Sequence, residues 1–384
     1  MGTDSVIYIR TDGNSKISTG HLVRCISIAQ ALLAQGRGVC FLVSDEESRC
    51  LAEGFLKNEA QNAVSPDNIL FSVTKLNCAH YDRLEDELPQ LLSLLATASA
   101  SGKPTLLVDS YYVTPAYMEA LRRAAKVAYM DDLKKFDYSV DLLVNYDILS
   151  PAESVRLQHF YASAASLLLG AEYTPLRRQF AGHTPVFRNF PRNVLISTGG
   201  SDPRGFSPRL LSALQKAFSS GKSAESPAYG DGVHRLENIS FHLVIGRLFS
   251  AEEKQVLYAL AAEAGNIHLH EGLTDLAPLM KECDLAVSAA GTTLCELCAL
   301  GVPAISFAMA DNQVEFALGF HRKGAVPYAG DLRQEGTDRV LKNILQLLAE
   351  LVTDTDKRRL LQNKGRLLID GKGSARIAQA LCRL

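Results

Sequence analysis

No run of eighteen or more apolar residues occurs anywhere in this 384-residue sequence, so it offers no membrane-spanning helix. It also lacks an excess of either charge, with 40 Lys plus Arg against 42 Asp plus Glu. Without a basic stripe, nucleic acid is not an expected partner, and any bound anion must be held locally. The opening segment, MGTDSVIYIRTDG, lacks a basic region followed by an apolar run, so a cytoplasmic protein without stable membrane insertion is expected. A disulfide framework is missing too: eight cysteines are scattered through helix-like and strand-like segments, as reduced, partly buried thiols would be. Cys295 and Cys298 form the one close pair, with no second pair or nearby histidine to complete a tetrahedral site. Neither metal nor cofactor is therefore expected. No internal repeat is evident, and the sequence is silent on oligomeric state.

What is present suits a compact enzyme. The composition, 47% hydrophobic and 21% charged, is that of globular proteins, and the length exceeds one ordinary core. Short runs of Val, Ile and Leu alternate with segments of helical period, the pattern of parallel sheets covered by helices on both faces. The fold class is α/β. Strands are expected at Val6–Arg10, Val39–Val43, Thr105–Asp109, Val127–Met130, Leu142–Asn145 and Leu167–Gly170, with helices near 21–35, 82–98 and 114–125. The segment 181–193, with two prolines and little periodicity, marks a domain boundary, giving domains 1–188 and 189–384. The second half is expected to hold strands at Val194–Ser197, Ser240–Ile245, Ile267–His270, Leu285–Val287 and Pro303–Phe307. Residues 218–235, rich in Gly, Ser and Pro, read as a surface insertion. Helical sequence runs from about 334 to the end, and its last helix can cross back to the first domain.

Three segments carry chemistry. In IRTDGNSKISTGHLVRC, a strand gives way to a polar loop containing Asp12, Gly13 and Asn14, and then to a helix beginning at Gly20 and His21. Unpaired N–H groups at such a turn face the carboxyl end of the strand, where ligands bind in α/β sheets, so His21 is aimed at ligand. Its imidazole can accept a proton from water; capping or packing is the plainer alternative. In STGGSD, Gly199 and Gly200 again follow a strand, and a helix can start near Pro203. In SAAGTTLCELCAL, Gly291, Thr292 and Thr293 place a helix N-terminus and two hydroxyls where a diphosphate can rest. Glu296, one turn on, can accept hydrogen bonds from both ribose hydroxyls; Asp311-Asn312-Gln313 follow the next strand.

Together, IRTDGN…STGHLVRC, VDSY at 108–111, MDDL at 130–133, LLLGAEYTPLRRQF at 167–180, STGGSDP at 197–203 and AAGTTLCELCALGVPAI through to DNQ resemble the inverting UDP-sugar hydrolases of pseudaminic acid biosynthesis, which act on UDP-2,4-diacetamido-2,4,6-trideoxy-β-L-altropyranose. The resemblance leaves out mainly 44–104 and the 218–235 insertion. The second-half motifs are shared more widely and are similar to the nucleotide-binding half of the glycosyltransferases that attach N-acetylglucosamine in peptidoglycan assembly. The resemblance implies a GT-B-like fold, two Rossmann-type domains with parallel sheets facing a central cleft. It also implies that His21 is the base activating water, with Tyr111 and Asn312, next to Gln313, lining the sugar site. Tyr111 is preferred to Tyr112 because the motif is D-x-Y from Asp109. Gly291, Thr292 and Thr293 would hold the diphosphate, and Glu296 the ribose.

The implied reaction is attack of water on the anomeric carbon, with inversion and departure of UDP as a stable anion, for which helix N–H groups suffice without a metal. A UDP-sugar-dependent GT-B glycosyltransferase is the alternative, with the base acting on an acceptor hydroxyl. A non-catalytic nucleotide-sugar binder would keep the glycines and Glu296 without needing His21.

Overall fold

The computed structural model describes residues 6–17, 19–61, 71–78, 80–98, 102–220 and 239–384, and it divides into two compact units. Unit 1 comprises residues up to Arg178 together with Gly371–Leu384; unit 2 is Gln179–Asp370.

In unit 1 the strands are β1 (Val6–Thr11), β2 (Gly38–Val43), β3 (Phe71–Lys75), β4 (Thr105–Asp109), β5 (Lys126–Met130), β6 (Leu142–Asn145) and β7 (Leu167–Leu169). They form one sheet in the order β3-β2-β1-β4-β5-β6-β7 with parallel pairing throughout. Its central strands are buried on both faces, hence the near-continuous apolar runs in the sequence. The helices are α1 (Gly20–Leu33), α2 (Glu46–Gln61), α3 (Leu88–Thr97), α4 (Pro115–Ala124) and α5 (Pro151–Phe160), with a short 3₁₀ turn at Leu84–Glu87. The last helix of the chain, Gly373–Leu381, also belongs here. Its Ile377, Ala378 and Leu381 share one core with Leu22, Ile26 and Ala29 of α1, and a Cβ on Gly373 would lie 2.1 Å from the Thr174 carbonyl oxygen. This helix therefore clamps α1 against the sheet, fixing the element that carries His21.

Unit 2 repeats the plan. Its strands β8 (Asn193–Ser197), β9 (Ser240–Ile245), β10 (Ile267–Glu271), β11 (Leu285–Ala289), β12 (Ala304–Ala308) and β13 (Tyr328–Asp331) lie in the order β10-β9-β8-β11-β12-β13, again parallel. The helices among its described residues are α6 (Phe206–Ser220), α7 (Ala251–Glu263), α8 (Ala277–Glu282), α9 (Thr292–Leu300), α10 (Asp311–Arg322), α11 (Thr337–Thr353) and α12 (Thr355–Leu368). Capping residues set several starts: Ser150 with Glu153 and Ser250 with Glu253 form reciprocal capping boxes on α5 and α7, and Asp354 accepts from the Lys357 amide. The expected helix start near Pro203 is displaced to Phe206, because Asp202 accepts from the Phe206 and Ser207 amides at 2.8 and 2.5 Å. Of the expected insertion at 218–235, residues 218–220 end α6 and the remainder lies outside the described residues.

Candidate active site

In both sheets the strand order reverses direction beside the first strand of the unit, between β1 and β4 and between β8 and β11. At such a switch point the loops leaving the two strands diverge and open a crevice at their carboxyl ends.

In unit 1 these loops follow β1, starting at residue 12, and β4, at residues 110–114. Helix α1 starts at Gly20, and its i, i+3, i+4 spacing puts His21, Arg24 and Cys25 on one face. That face meets Asp109, the last residue of β4. The carboxylate, 1% exposed, takes a contact of 2.6 Å from His21 Nδ1, a fork of 2.6 and 2.5 Å from Arg24 Nε and Nη2, and one of 3.4 Å from Cys25 Sγ. Burial alone would raise the Asp109 carboxyl, but the charge of Arg24 and the hydrogen bonds from Arg24 and His21 outweigh it and hold the group well below the usual carboxylate range. An ionised Asp109 accepts the Nδ1–H of His21, so in the neutral imidazole Nε2 is the nitrogen without a proton. Among the described residues, nothing polar engages Nε2.

Arg24 reaches further, donating through Nη1 to Asp132 Oδ2 at 2.6 Å and to the Tyr146 hydroxyl at 2.5 Å. The same Asp132 oxygen accepts from the Tyr111 hydroxyl at 3.3 Å, and the Tyr111 ring stands edge-on to His21 at 4.3 Å. Burial, with Asp132 adding to it, pushes the Tyr111 phenol up to about 12, so it remains a donor at neutral pH. Tyr112 packs its ring against Tyr81 at 5.5 Å. His21, Asp109, Tyr111 and Tyr112 line a small open pocket with Asp12, Ile17, Tyr81 and Ser110.

The β1 loop is held from beneath. Arg10, fully buried, forks onto Glu87 at 2.6 and 2.7 Å and reaches Asp12 at 2.7 Å; Tyr117 donates to Glu87 at 2.6 Å. Asp12 in turn accepts from the Ser44 amide at 2.7 Å, so both of its oxygens are engaged within the scaffold. A Cβ on Gly13 would stand 2.7 Å from Leu22 Cβ, so only glycine lets this loop lie on α1. Asn14 accepts from the Lys16 and Ile17 amides and donates to Asp45. Asp12, Gly13 and Asn14 thus shape the loop, with Asp12 also on the pocket wall. Gly20 opens α1, with no neighbour crowding its missing side chain.

In unit 2 the β8 loop contains Gly199 and Gly200, and the β9 loop rests on it. A Cβ on Gly246 would lie 2.5 Å from both their carbonyl oxygens, and the Leu248 amide donates to Gly200 at 2.9 Å. On the far side of the switch point, Gly291 caps α9 without a side-chain hydrogen bond to the first turn; Thr292 is exposed and Thr293 half-buried. The first-turn amides of α9 are thereby free of a side-chain cap, whereas those of α6 are occupied by Asp202. Glu296 lies one turn into α9 and is buried. At the start of α10, Asn312 is exposed, but Gln313 folds back to accept from the Met309 amide at 2.8 Å. The loops after β8 and β11 thus flank the switch point, and the Asn312 loop follows the neighbouring strand. Cys295 and Cys298 are buried thiols in α9, and no three metal-ligating side chains converge among the described residues.

Sequence reasoning missed Asp109, Arg24, Asp132 and Tyr146 as members of this site. The His-x-x-Arg spacing was a readable signal for Arg24, and an Asp closing an apolar strand was one for Asp109. Asp132 and Tyr146, more than one hundred positions from Arg24, come into reach only through sheet order.

Residues 210–366 match the glycosyltransferase family 28 C-terminal domain. The chain is 26% identical over 382 residues to the spore coat polysaccharide biosynthesis protein SpsG of Bacillus subtilis, covering 98% of this chain and 97% of that protein. Among solved structures it is similar to MurG of Acinetobacter baumannii, with a TM-score of 0.63 at 15% identity over 99% of this chain and 100% of that one. A UDP-N-acetylglucosamine 2-epimerase structure follows, with a TM-score of 0.58 at 16% identity over 99% of this chain and 96% of that one. Among the described residues no helix is long and apolar enough to cross a membrane. The chain has the two-domain α/β fold, with parallel sheets, of the GT-B glycosyltransferases.

Proposed function

We propose that the protein is a UDP-sugar hydrolase of surface-polysaccharide biosynthesis, in which His21 activates the attacking water. The observation that carries this reading is the 2.6 Å pairing of His21 Nδ1 with buried, ionised Asp109 beside a pocket. A carboxylate that holds Nδ1–H leaves Nε2 as the acceptor, which is the arrangement a general base requires. The substrate we favour is UDP-2,4-diacetamido-2,4,6-trideoxy-β-L-altropyranose, on the motif resemblance, with UDP and the free inverted sugar as products. Similarity to a spore coat polysaccharide biosynthesis protein supports a place in the same class of pathway. Unit 2 would hold UDP: the diphosphate on the amides of Gly291, Thr292 and Thr293, the ribose on Glu296, with Gly199 and Gly200 close by. Tyr111, Asn312 and Gln313 would contact the sugar.

A second reading is favoured by the match of residues 210–366 to a glycosyltransferase domain: the same base would then deprotonate an acceptor hydroxyl. Under either reading His21→Ala lowers turnover by roughly a hundred- to ten-thousand-fold. Calorimetry on the same variant should show UDP affinity unchanged. Turnover equal to the parent protein's would remove His21 from the chemistry.

A further inference from the structure

Asp109 is enclosed, and a buried carboxylate without a positive partner is strongly destabilising. Among the described residues three side chains touch it: His21, Arg24 and Cys25. Only Arg24 is positive whatever the proton supply. We propose that Arg24 is a positioning residue which, by matching the charge of Asp109 itself, leaves His21 free to remain the unprotonated acceptor. The inference rests on the reading of His21 as the base.

The groups facing His21 come from every neighbouring element. Asp109 ends β4, Arg24 lies 3.0 Å away through Nη2 on α1 itself, and Tyr111 follows β4. Asp12 shares the pocket, but its carboxylate is already held by Arg10 and the Ser44 amide. Beyond Arg24 stand Asp132 and Tyr146, after β5 and β6. With Arg24 removed, the one remaining contact of Asp109 among the described residues able to become a cation is His21. A second proton on His21 would then offset the carboxylate's charge, and a doubly protonated imidazole accepts nothing from water. Arg24 also holds the Asp132 oxygen to which Tyr111 donates, so one guanidinium fixes both the imidazole and the tyrosine edge-on to it.

The test is a titration of His21 by ¹⁵N NMR in the full chain labelled at histidine, without substrate, its signal assigned by loss in His21→Ala. In the parent protein, Nδ1 should carry the proton and Nε2 none at pH 7. In Arg24→Met, His21 should hold both protons at pH 7 and titrate about one to three pH units higher. The acid limb of kcat/KM should move up equally, with turnover at pH 7 lowered about tenfold or more and recovering as pH rises. Removing both charges, in Arg24→Met with Asp109→Asn, should return the titration toward that of the parent. Arg24→Gln, nearer in polarity, serves if the Met variant does not fold. A His21 titration that stays put in the neutral variants overturns the proposal. A titration that moves while the pH profile of activity does not would support the charge matching and overturn the reading of His21 as the base.

Discussion

At the scale of the residue, the arrangement around Asp109 is governed by charge. A carboxylate 1% exposed stays ionised because a guanidinium forks onto it, and the ionised form orients the imidazole. The pairing has a consequence for acid stability. Since Asp109 is held below its ordinary value of 3.8, its contribution is complete above the unfolded-state value and is lost as pH falls through the depressed folded one. Urea unfolding of the parent protein and Asp109→Asn should therefore show the parent more stable from about pH 5 upward, with the gap closing below about pH 4. A gap that widened on acidification would contradict the assignment. His21 was legible in the sequence because a histidine at a helix start after a strand has few other places to point. Its partners were less so: one strand-ending aspartate resembles another until the sheet order places it beside α1.

At the scale of the element, the TDGN loop is the instructive case. Most of its polar atoms are spent on the scaffold: Asp12 on Arg10 and Ser44, Asn14 on its own turn and Asp45. Beneath it, Arg10 and Glu87 are both wholly buried. Removing one member of such a pair strands the other, so Glu87→Ala should destabilise unit 1 by about 3–5 kcal/mol, measured by chemical denaturation. A loss under about 1 kcal/mol would mean that Arg10 finds another partner or water. The 3₁₀ turn bearing Glu87 lies in a stretch where only a helix was expected. Central strands were readable because burial on both faces demands continuous apolar sequence. The edge strands β3 and β13 were not: FSVTK is only partly covered, and YAGD has little apolar length. Helix α5 was overlooked despite its Ser150-Pro-Ala-Glu153 start, which is a capping signal.

At the scale of the whole molecule, two sheets of related strand order place their switch-point loops by the same rule, the reversal beside the first strand of each unit. The α/β class and parallel sheets were legible from alternation alone, because parallel strands need crossover helices and those helices leave their period in the sequence. The return of the last helix to unit 1 depends on Gly373 meeting Thr174 and on Ile377 entering the α1 core, contacts that no local pattern specifies.

The most direct test follows UDP-2,4-diacetamido-2,4,6-trideoxy-β-L-altropyranose by NMR with purified protein and EDTA, in the absence of any acceptor. The account predicts release of free UDP and an initial sugar product of inverted anomeric configuration. Saturable binding of the UDP-sugar with no UDP released would contradict hydrolysis of this substrate and favour a transferase awaiting its acceptor.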